Sequence, residues 1–148
     1  TVNDMSVSGV YDVDSSKVGK KIKDIITDYK IDSDFPVQAG IADDIINIPN
    51  SQVKSVKYNE FVESLKKIKP DFLVNLISSG MEKSSESYAK AALEAGCSFF
   101  NATSSKTITP QLKSSFESKG LMILGDDLMS QFGGTAFHRG MMEFMVNR

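Results

Sequence analysis

Three apolar segments in the second half of the chain, each followed by short polar residues, constrain the fold most strongly. They cover residues 71–77, 97–101 and 121–124, and Asp71 is the one charged residue in them. Continuous apolar runs of this length suit strands covered on both faces, as in a parallel sheet. Strands that alternate with helices predict an α/β fold, with a doubly wound, Rossmann-like parallel sheet and helices on both of its faces.

Hydrophobic periodicity and capping residues predict the helices between these strands. Pro70 and Gly96 mark helix ends, and Thr109-Pro110 marks a helix start with a cap and a proline in the first turn. The predicted helices are residues 17–29, 58–68, 82–95, 110–118 and 133–147.

The first third of the chain is less regular. A short strand is predicted at residues 6–11, and a polar stretch follows the first helix over residues 31–57. That stretch is long for a loop in a compact domain, so it is either a functional excursion or contains a short strand at residues 53–56. No G-x-G-x-x-G phosphate loop occurs in the sequence. Either the fold does not bind a dinucleotide, or its first βα unit is missing from this chain.

Composition narrows the classes of function. The 148 residues are about one domain, and 17 basic against 19 acidic side chains give a net charge of −2. This balance argues against a nucleic-acid partner. The single Cys97 excludes a disulfide scaffold and is interpreted as a buried structural thiol. The sequence contains no apolar run of about 20 residues and no leader pattern, so we expect no membrane partner and a cytoplasmic location.

The carboxyl ends of parallel strands meet at one edge of a sheet, where ligands of such folds bind. Short polar residues and glycines occupy these positions, while the strands themselves are apolar, which is typical of a ligand-binding edge. The residues concerned are Asp12, Asp14, residues 78–80, 101–105 and 125–127, Ser130 and Gln131.

An acid directly after the first strand suits a ribose. The Asp12 carboxylate would accept hydrogen bonds from a 2′,3′-diol and repel a 2′-phosphate, which favours NAD over NADP. The alternative is that Asp12 and Asp14 only cap the following helix. The residues alone leave both interpretations open.

The segment of residues 125–139 is the most distinctive in the chain. Thr135, His138 and Arg139 share one helix face by their spacing, so the histidine and arginine would bind an anion together. The alternative is a capped helix with an exposed His-Arg pair.

This segment, GDDLMSQFGGTAFHR, resembles the prokaryotic and archaeal branch of the myo-inositol-1-phosphate synthase family. Three further stretches resemble the family in the same order, namely GVYDVDSSKVGK, KPDFLVNLISSG and YAKAALEAGCSFFNATS. Together the four stretches span nearly the whole chain. The resemblance implies that residues 1–148 are a partial NAD-binding, Rossmann-like domain without its first βα unit.

Members of this family convert glucose 6-phosphate to inositol 1-phosphate by internal oxidation, aldol cyclisation and reduction. The resemblance therefore implies NAD as cofactor, a sugar-phosphate substrate and a homo-oligomer, namely a tetramer. It implies that the cofactor is held by Asp12, Ser78, Asn101, Ala102, Thr103 and Asp126. It places Ser130 and Thr135 as substrate-binding residues, and His138 and Arg139 as catalytic residues on the substrate side.

One position departs from the family. Residue 129 is Met where the family usually carries a Lys, and a thioether cannot stabilise oxyanion charge as an ammonium group does. Two alternatives to the synthase therefore stay open, a non-catalytic module that binds a nucleotide or a partner, and another NAD-dependent oxidoreductase.

Overall fold

The computed structural model describes residues 6–26, 35–44, 48–78, 80–126 and 141–146. The strands are β1 (Tyr11–Asp12), β2 (Gln38–Ala39), β3 (Phe72–Asn75), β4 (Ser98–Asn101) and β5 (Ile123–Gly125). The helices are α1 (Ile22–Ile25), α2 (Tyr58–Ile68), α3 (Glu82–Ala95) and α4 (Pro110–Ser118). Residues 141–146 are also helical, while the rest of the predicted last helix lies outside the described residues.

All strand pairs between these elements are parallel. Strands β3, β4 and β5 form a three-stranded sheet in that order, and β1 pairs with β2 in a separate two-stranded sheet. The register places Asn75, Asn101 and Gly125 side by side at the carboxyl ends of their strands. This Rossmann-like α/β arrangement confirms the predicted fold class.

The helices that periodicity predicted most clearly are confirmed because their signals are local. Helix α2 buries Phe61, Val62 and Leu65 on one face. Helix α3 ends at Gly96, which adopts a left-handed conformation with φ 81°. Helix α4 begins with Thr109, whose side chain accepts a hydrogen bond from the backbone N–H of Leu112.

The core lies between α2, α3, α4 and one face of the three-stranded sheet. Its fully buried members include Phe61, Phe99 and Phe116, one each from α2, β4 and α4. The Phe61 ring also packs edge-on against Tyr11 and Tyr88, at centroid distances of 4.7 and 5.0 Å. These ring contacts tie the two-stranded sheet to the helices of the larger one.

The opposite face of the larger sheet is open among the described residues. Phe72, Val74 and Leu124 are 42%, 48% and 52% exposed, respectively. Their alternation with more buried neighbours reflects the two faces of a strand. The expectation that β3 is covered on both faces therefore has no counterpart in the described part of the chain.

The helix predicted for residues 17–29 is wrong at its start. Residues 15–19 form turns, because Gly19 has φ +94° and its N–H donates to the carbonyl of Val37 at 2.8 Å. The N–H of Val37 in turn donates to the carbonyl of Lys20. These bonds use backbone groups that a helix would need, so α1 is confined to Ile22–Ile25, with residues 27–34 outside the description.

The polar stretch of residues 31–57 contains the strand β2, which the sequence did not predict there. Isolated bridges at Val53 and Ser55 partly support the short strand predicted at residues 53–56. Ser55 pairs with Gly40 and Val53 pairs with Asp14, so this stretch extends the two-stranded sheet.

Tyr88 is expected to be a main support of this part of the fold. Its buried hydroxyl contacts the backbone N–H of Ile41 at 2.7 Å and the carbonyl of Ile41 at 3.0 Å. Tyr88→Phe leaves both groups without this partner, and we expect a loss of about 2 kcal/mol in the free energy of unfolding, measured by urea denaturation. Tyr58→Phe is the control, because that hydroxyl bonds the exposed Glu94 at 3.2 Å. Equal losses in both variants would contradict this role.

Candidate functional site

The loop after β2 contacts the start of helix α3, the helix that follows β3. The Asp44 carboxylate accepts hydrogen bonds from the backbone N–H of Ser84 at 2.8 Å and of Lys83 at 3.3 Å. The hydroxyl of Ser84 also donates to Asp44, at 2.7 Å. An acid from the loop after β2 thus caps the helix that follows β3, which brings the ends of the two sheets together.

At the ends of β3, β4 and β5 lies a chain of polar side chains, here called the strand-end network, formed by the buried Asn75 and Asn101 and the half-buried Asp126. The amide of Asn75 donates to Asn101 Oδ1 at 3.0 Å, and the amide of Asn101 donates to Asp126 Oδ1 at 3.0 Å. Asn75 and Asn101 are 3% and 0% exposed. Such a network is stable only when its members satisfy one another, and these bonds do so.

Asp126 also holds the loop that follows β4. Its Oδ2 accepts from the backbone N–H of Thr107 at 3.0 Å and of Ile108 at 2.8 Å. Its backbone is left-handed, with φ 61°, a conformation that Asp tolerates better than most residues. The carboxylate predicted to contact the cofactor is therefore engaged by the protein's own donors, and it positions the loop of residues 102–109.

Asp12 lies at the end of β1, at the predicted position. Its Oδ1 accepts from the backbone N–H of Val13 at 2.7 Å and of Asp14 at 2.9 Å, and its Oδ2 accepts from Lys17 Nζ at 2.9 Å. A carboxylate offers about four acceptor positions, so the described contacts leave one on Oδ2. The side chain is 30% exposed, so that position is accessible to a ligand hydroxyl.

Asp14 stabilises the turn after β1. Its carboxylate accepts hydrogen bonds from the hydroxyl of Ser51 and the backbone N–H of Ser16. The hydrogen bond from Ser51 is the largest cause that lowers the pKa of Asp14 to about 2, and the hydrogen bonds from Ser16 contribute next.

Neither Asp12 nor Asp14 caps α1. The residue before this helix is Lys21, and its side chain makes no capping hydrogen bond. The interpretation of both acids as helix caps is therefore wrong, although both hold a turn.

Lys17 lies in the turn after β1, where the sequence predicted the start of a helix. Its Nζ lies 2.9 Å from Asp12 Oδ2 and 3.9 Å from Asp14 Oδ2. The hydrogen bond with Asp12 raises the pKa of Lys17, so the ammonium group stays charged at neutral pH. A cation thus lies beside the acid that the sequence assigned to a ribose.

The other predicted residues fall into two groups. In the first group, Ser78 is exposed and follows β3. The backbone N–H of Ala102 donates to the carbonyl of Asn75 at 3.0 Å. The hydroxyl of Thr103 donates to Asn101 Oδ1 at 2.9 Å. These residues lie at the ends of β3 and β4, as predicted. The second group lies outside the described residues, namely Ser130, Thr135, His138 and Arg139.

Several buried polar residues of this edge were not predicted. Asn75, Ser85 and Thr107 are at most 4% exposed, and Ser105, which was predicted at this edge, is 1% exposed. The Ser105 hydroxyl has no hydrogen-bond partner among the described residues. The signal in the sequence was Asn75, an amide inside an otherwise apolar strand, because an amide is buried only where its bonds are satisfied.

The edge fits one end of a dinucleotide. Asp12 offers an acceptor to a ribose hydroxyl, and the Asn101 amide holds the loop after β4 by donating to the carbonyl of Ser105 at 2.8 Å. The sequence contains no G-x-G-x-x-G motif for the pyrophosphate, so the fit of the described residues is confined to the adenosine ribose and the sheet edge beside it.

In the described part of the chain, no group of three His, Cys, Asp or Glu side chains is arranged to hold a metal ion.

Cys97 is 2% exposed, and burial raises its pKa to about 11, as expected for a structural thiol. None of the helices in the described ranges is long and apolar enough to span a membrane.

The fold and this edge define the chain as an α/β protein of Rossmann-like architecture. Over 99% of its own length, this chain is 31% identical to the inositol-3-phosphate synthase of Mycolicibacterium smegmatis and 30% identical to that of Corynebacterium glutamicum. The crystal structure of Ari2 matches with a TM-score of 0.72 and 30% identity, covering 99% of this chain and 46% of that one. No family model matches the sequence.

These comparisons confirm the family resemblance: over 99% of its length, the chain is similar to part of the inositol-3-phosphate synthases. It spans 44% of the length of each of the two synthases named above. The shared part therefore includes the strand ends described here.

Proposed function

We infer that this chain is part of the NAD-binding region of an inositol-3-phosphate synthase, acting on a sugar phosphate. The observation that carries the proposal is the similarity to synthases over 99% of the chain. The parallel strands and the acid at the end of β1 support it, since dinucleotides bind at such edges. The reaction would convert glucose 6-phosphate to an inositol phosphate without net redox change.

Bound NAD would supply reversible acceptance of a hydride from the sugar. The chain's own residues would bind and orient it. Asp12 Oδ2 would accept a hydrogen bond from the adenosine ribose, and Ser78 would line the cofactor from the end of β3. The strand-end network would hold residues 101–108 in place beside the nicotinamide, with Ala102 and Thr103 on that segment.

The remaining roles rest on the family pattern alone. Ser130 and Thr135 would bind the substrate, and His138 and Arg139 would act on the substrate side, where a cation and a proton-transferring group suit a sugar phosphate. A homo-oligomer, in the form of a tetramer, and a cytoplasmic location also belong to this proposal.

Asp12→Ala tests the ribose site. We expect NAD binding to weaken by about 1–3 kcal/mol, the scale of a lost hydrogen bond to a charged group, measured by titration calorimetry on the complete gene product. Asp71→Ala is the matched control. Asp71 is an exposed acid that lies before β3, at the amino end of its strand, whereas Asp12 lies at the carboxyl end of β1. Unchanged affinity in Asp12→Ala would place the ribose elsewhere.

The activity is tested by an assay on the complete gene product for formation of inositol phosphate from glucose 6-phosphate with NAD. Product formation that requires both compounds supports the synthase. Nucleotide binding without product would favour the second candidate, a non-catalytic nucleotide-binding module. Met129 is the observation that favours this second candidate, because the family usually carries a Lys there.

A further inference from the structure

Lys17 and Asp12 present a hydrogen-bond donor and an acceptor side by side after β1. Lys17 Nζ lies 2.9 Å from Asp12 Oδ2, and the two side chains are 44% and 30% exposed, so both reach the solvent from which a ligand would arrive. An ammonium group has three N–H donors, and the described hydrogen bonds of Lys17 use one of them. Because Asp12 Oδ2 keeps one acceptor position, the pair offers a ligand both a donor and an acceptor.

Neighbouring contacts hold both groups in this position. The backbone N–H groups of Val13 and Asp14 donate to Asp12 Oδ1. Oδ2 is therefore the oxygen that faces Lys17. The carboxylate of Asp14 lies 3.9 Å from Lys17 Nζ, beyond hydrogen-bond distance, so it attracts the ammonium group without taking one of its donors.

The charges around the pair suit a neutral ligand. Two carboxylates, those of Asp12 and Asp14, surround the single ammonium group of Lys17, so the turn repels a further anion. A pair of hydroxyl groups carries no charge, and each hydroxyl can both donate and accept. The 2.9 Å between Nζ and Oδ2 is also close to the separation of the two oxygens in a cis-diol, such as that of a ribose.

We propose that Lys17 is a further binding and specificity-determining residue of the adenosine-ribose site, where Asp12 Oδ2 accepts a hydrogen bond from one ribose hydroxyl and the Lys17 ammonium group donates to the oxygen of the other. The two side chains recognise the diol together, whereas a lone carboxylate would accept from both hydroxyls. An acid at such a strand end bonds the 2′-hydroxyl, which assigns the 3′-oxygen to Lys17. The inference rests on the proposed dinucleotide function.

The test is calorimetric titration of the complete gene product with NAD and with two analogues, in which the adenosine is replaced by 2′-deoxyadenosine or 3′-deoxyadenosine. In the wild type, loss of either hydroxyl should weaken binding roughly tenfold. Lys17→Met keeps a side chain of similar length without the donors, so NAD affinity should fall roughly tenfold and the 3′-deoxy analogue should bind this variant within about twofold of NAD. The 2′-deoxy analogue should still bind it more weakly than NAD, because Asp12 is unchanged.

The comparison of analogues separates recognition from a structural role. A damaged turn would weaken all three nucleotides by the same factor, whereas a lost contact with the 3′-oxygen removes only the discrimination against the 3′-deoxy analogue. Lys113→Met is the matched control, since that lysine lies on α4 and pairs with Glu117 at 3.9 Å. It should keep the wild-type affinities for all three nucleotides.

Three results would overturn the proposal and leave the dinucleotide function in place. They are a wild type that binds the 3′-deoxy analogue as tightly as NAD, a Lys17→Met variant that still discriminates against it, and a crystal structure of the NAD complex with Lys17 Nζ more than about 3.5 Å from both ribose hydroxyl oxygens. A shorter distance to the 3′-oxygen is the expected result. A wild type that binds none of the three nucleotides would overturn the dinucleotide function and this inference with it.

Discussion

Replacement of Gly125 by alanine is expected to lower the free energy of unfolding by about 3 kcal/mol or more. Gly125 has φ +132°, a conformation in which a side chain is strained, and a Cβ built there would lie 2.7 Å from the Cβ of Asn101 and against its carbonyl oxygen. Asn101 is fully buried and pairs with Gly125 in the sheet, so it cannot move aside. The strand end must shift instead, and the Asp126 contacts shift with it.

Urea denaturation followed by circular dichroism measures this loss, and Gly120→Ala is the matched control. Gly120 also has a positive φ, +68°, but a Cβ there meets nothing within 4 Å. Its cost should be only the left-handed strain of about 1 kcal/mol. Equal costs at the two positions would mean that the close approach to Asn101 contributes nothing.

Asp126→Ala is expected to cost about 3 kcal/mol of stability. It removes the acceptor of the N–H groups of Thr107 and Ile108 and of the buried Asn101 amide, and hydrogen bonds to charged groups are the stronger kind. It also places alanine in a left-handed conformation, with φ 61°. We expect the loop after β4 to lose protection from amide hydrogen exchange in the same variant.

Asp126→Asn separates these contributions. Asn tolerates the left-handed backbone and keeps the shape, but it has one acceptor oxygen and no charge, so we expect a loss between those of the wild type and Asp126→Ala. Glu117→Ala provides the surface control, because its ion pair with Lys113 is 3.9 Å long and its side chain is 61% exposed. A loss in Asp126→Ala no greater than that of the control would rule out the loop-holding role.

The sequence predicted well those elements whose signals are local. Helices α2, α3 and α4 were predicted with nearly their observed bounds, because periodicity, Gly96 and Thr109-Pro110 act within a few residues. The turn at residues 15–19 was missed because its determinants are distant: Gly19 and Lys20 bond to Val37, beyond the reach of a periodicity pattern.

The candidate site shows the same division. Asn101, Asp126 and Asp12 were predicted at strand ends, and they lie there. Their side-chain partners were not predicted, since the direction of a side chain depends on neighbours from other strands. Asp126 therefore faces the loop of its own protein, and Asp12 faces Lys17, which lies in a turn where the sequence predicts a helix.

The amino-acid sequence by itself determined the parallel α/β architecture, the helices of the second half and the positions of polar residues after each strand. These follow from short-range patterns of apolar residues, glycine and proline. Only the tertiary structure decided which of these polar residues face one another, because hydrogen bonds such as Asn75 to Asn101 and Asp12 to Lys17 form only when the backbone brings their atoms within about 3 Å. That geometry separates the acid that holds a loop from the acid that remains open to a ligand.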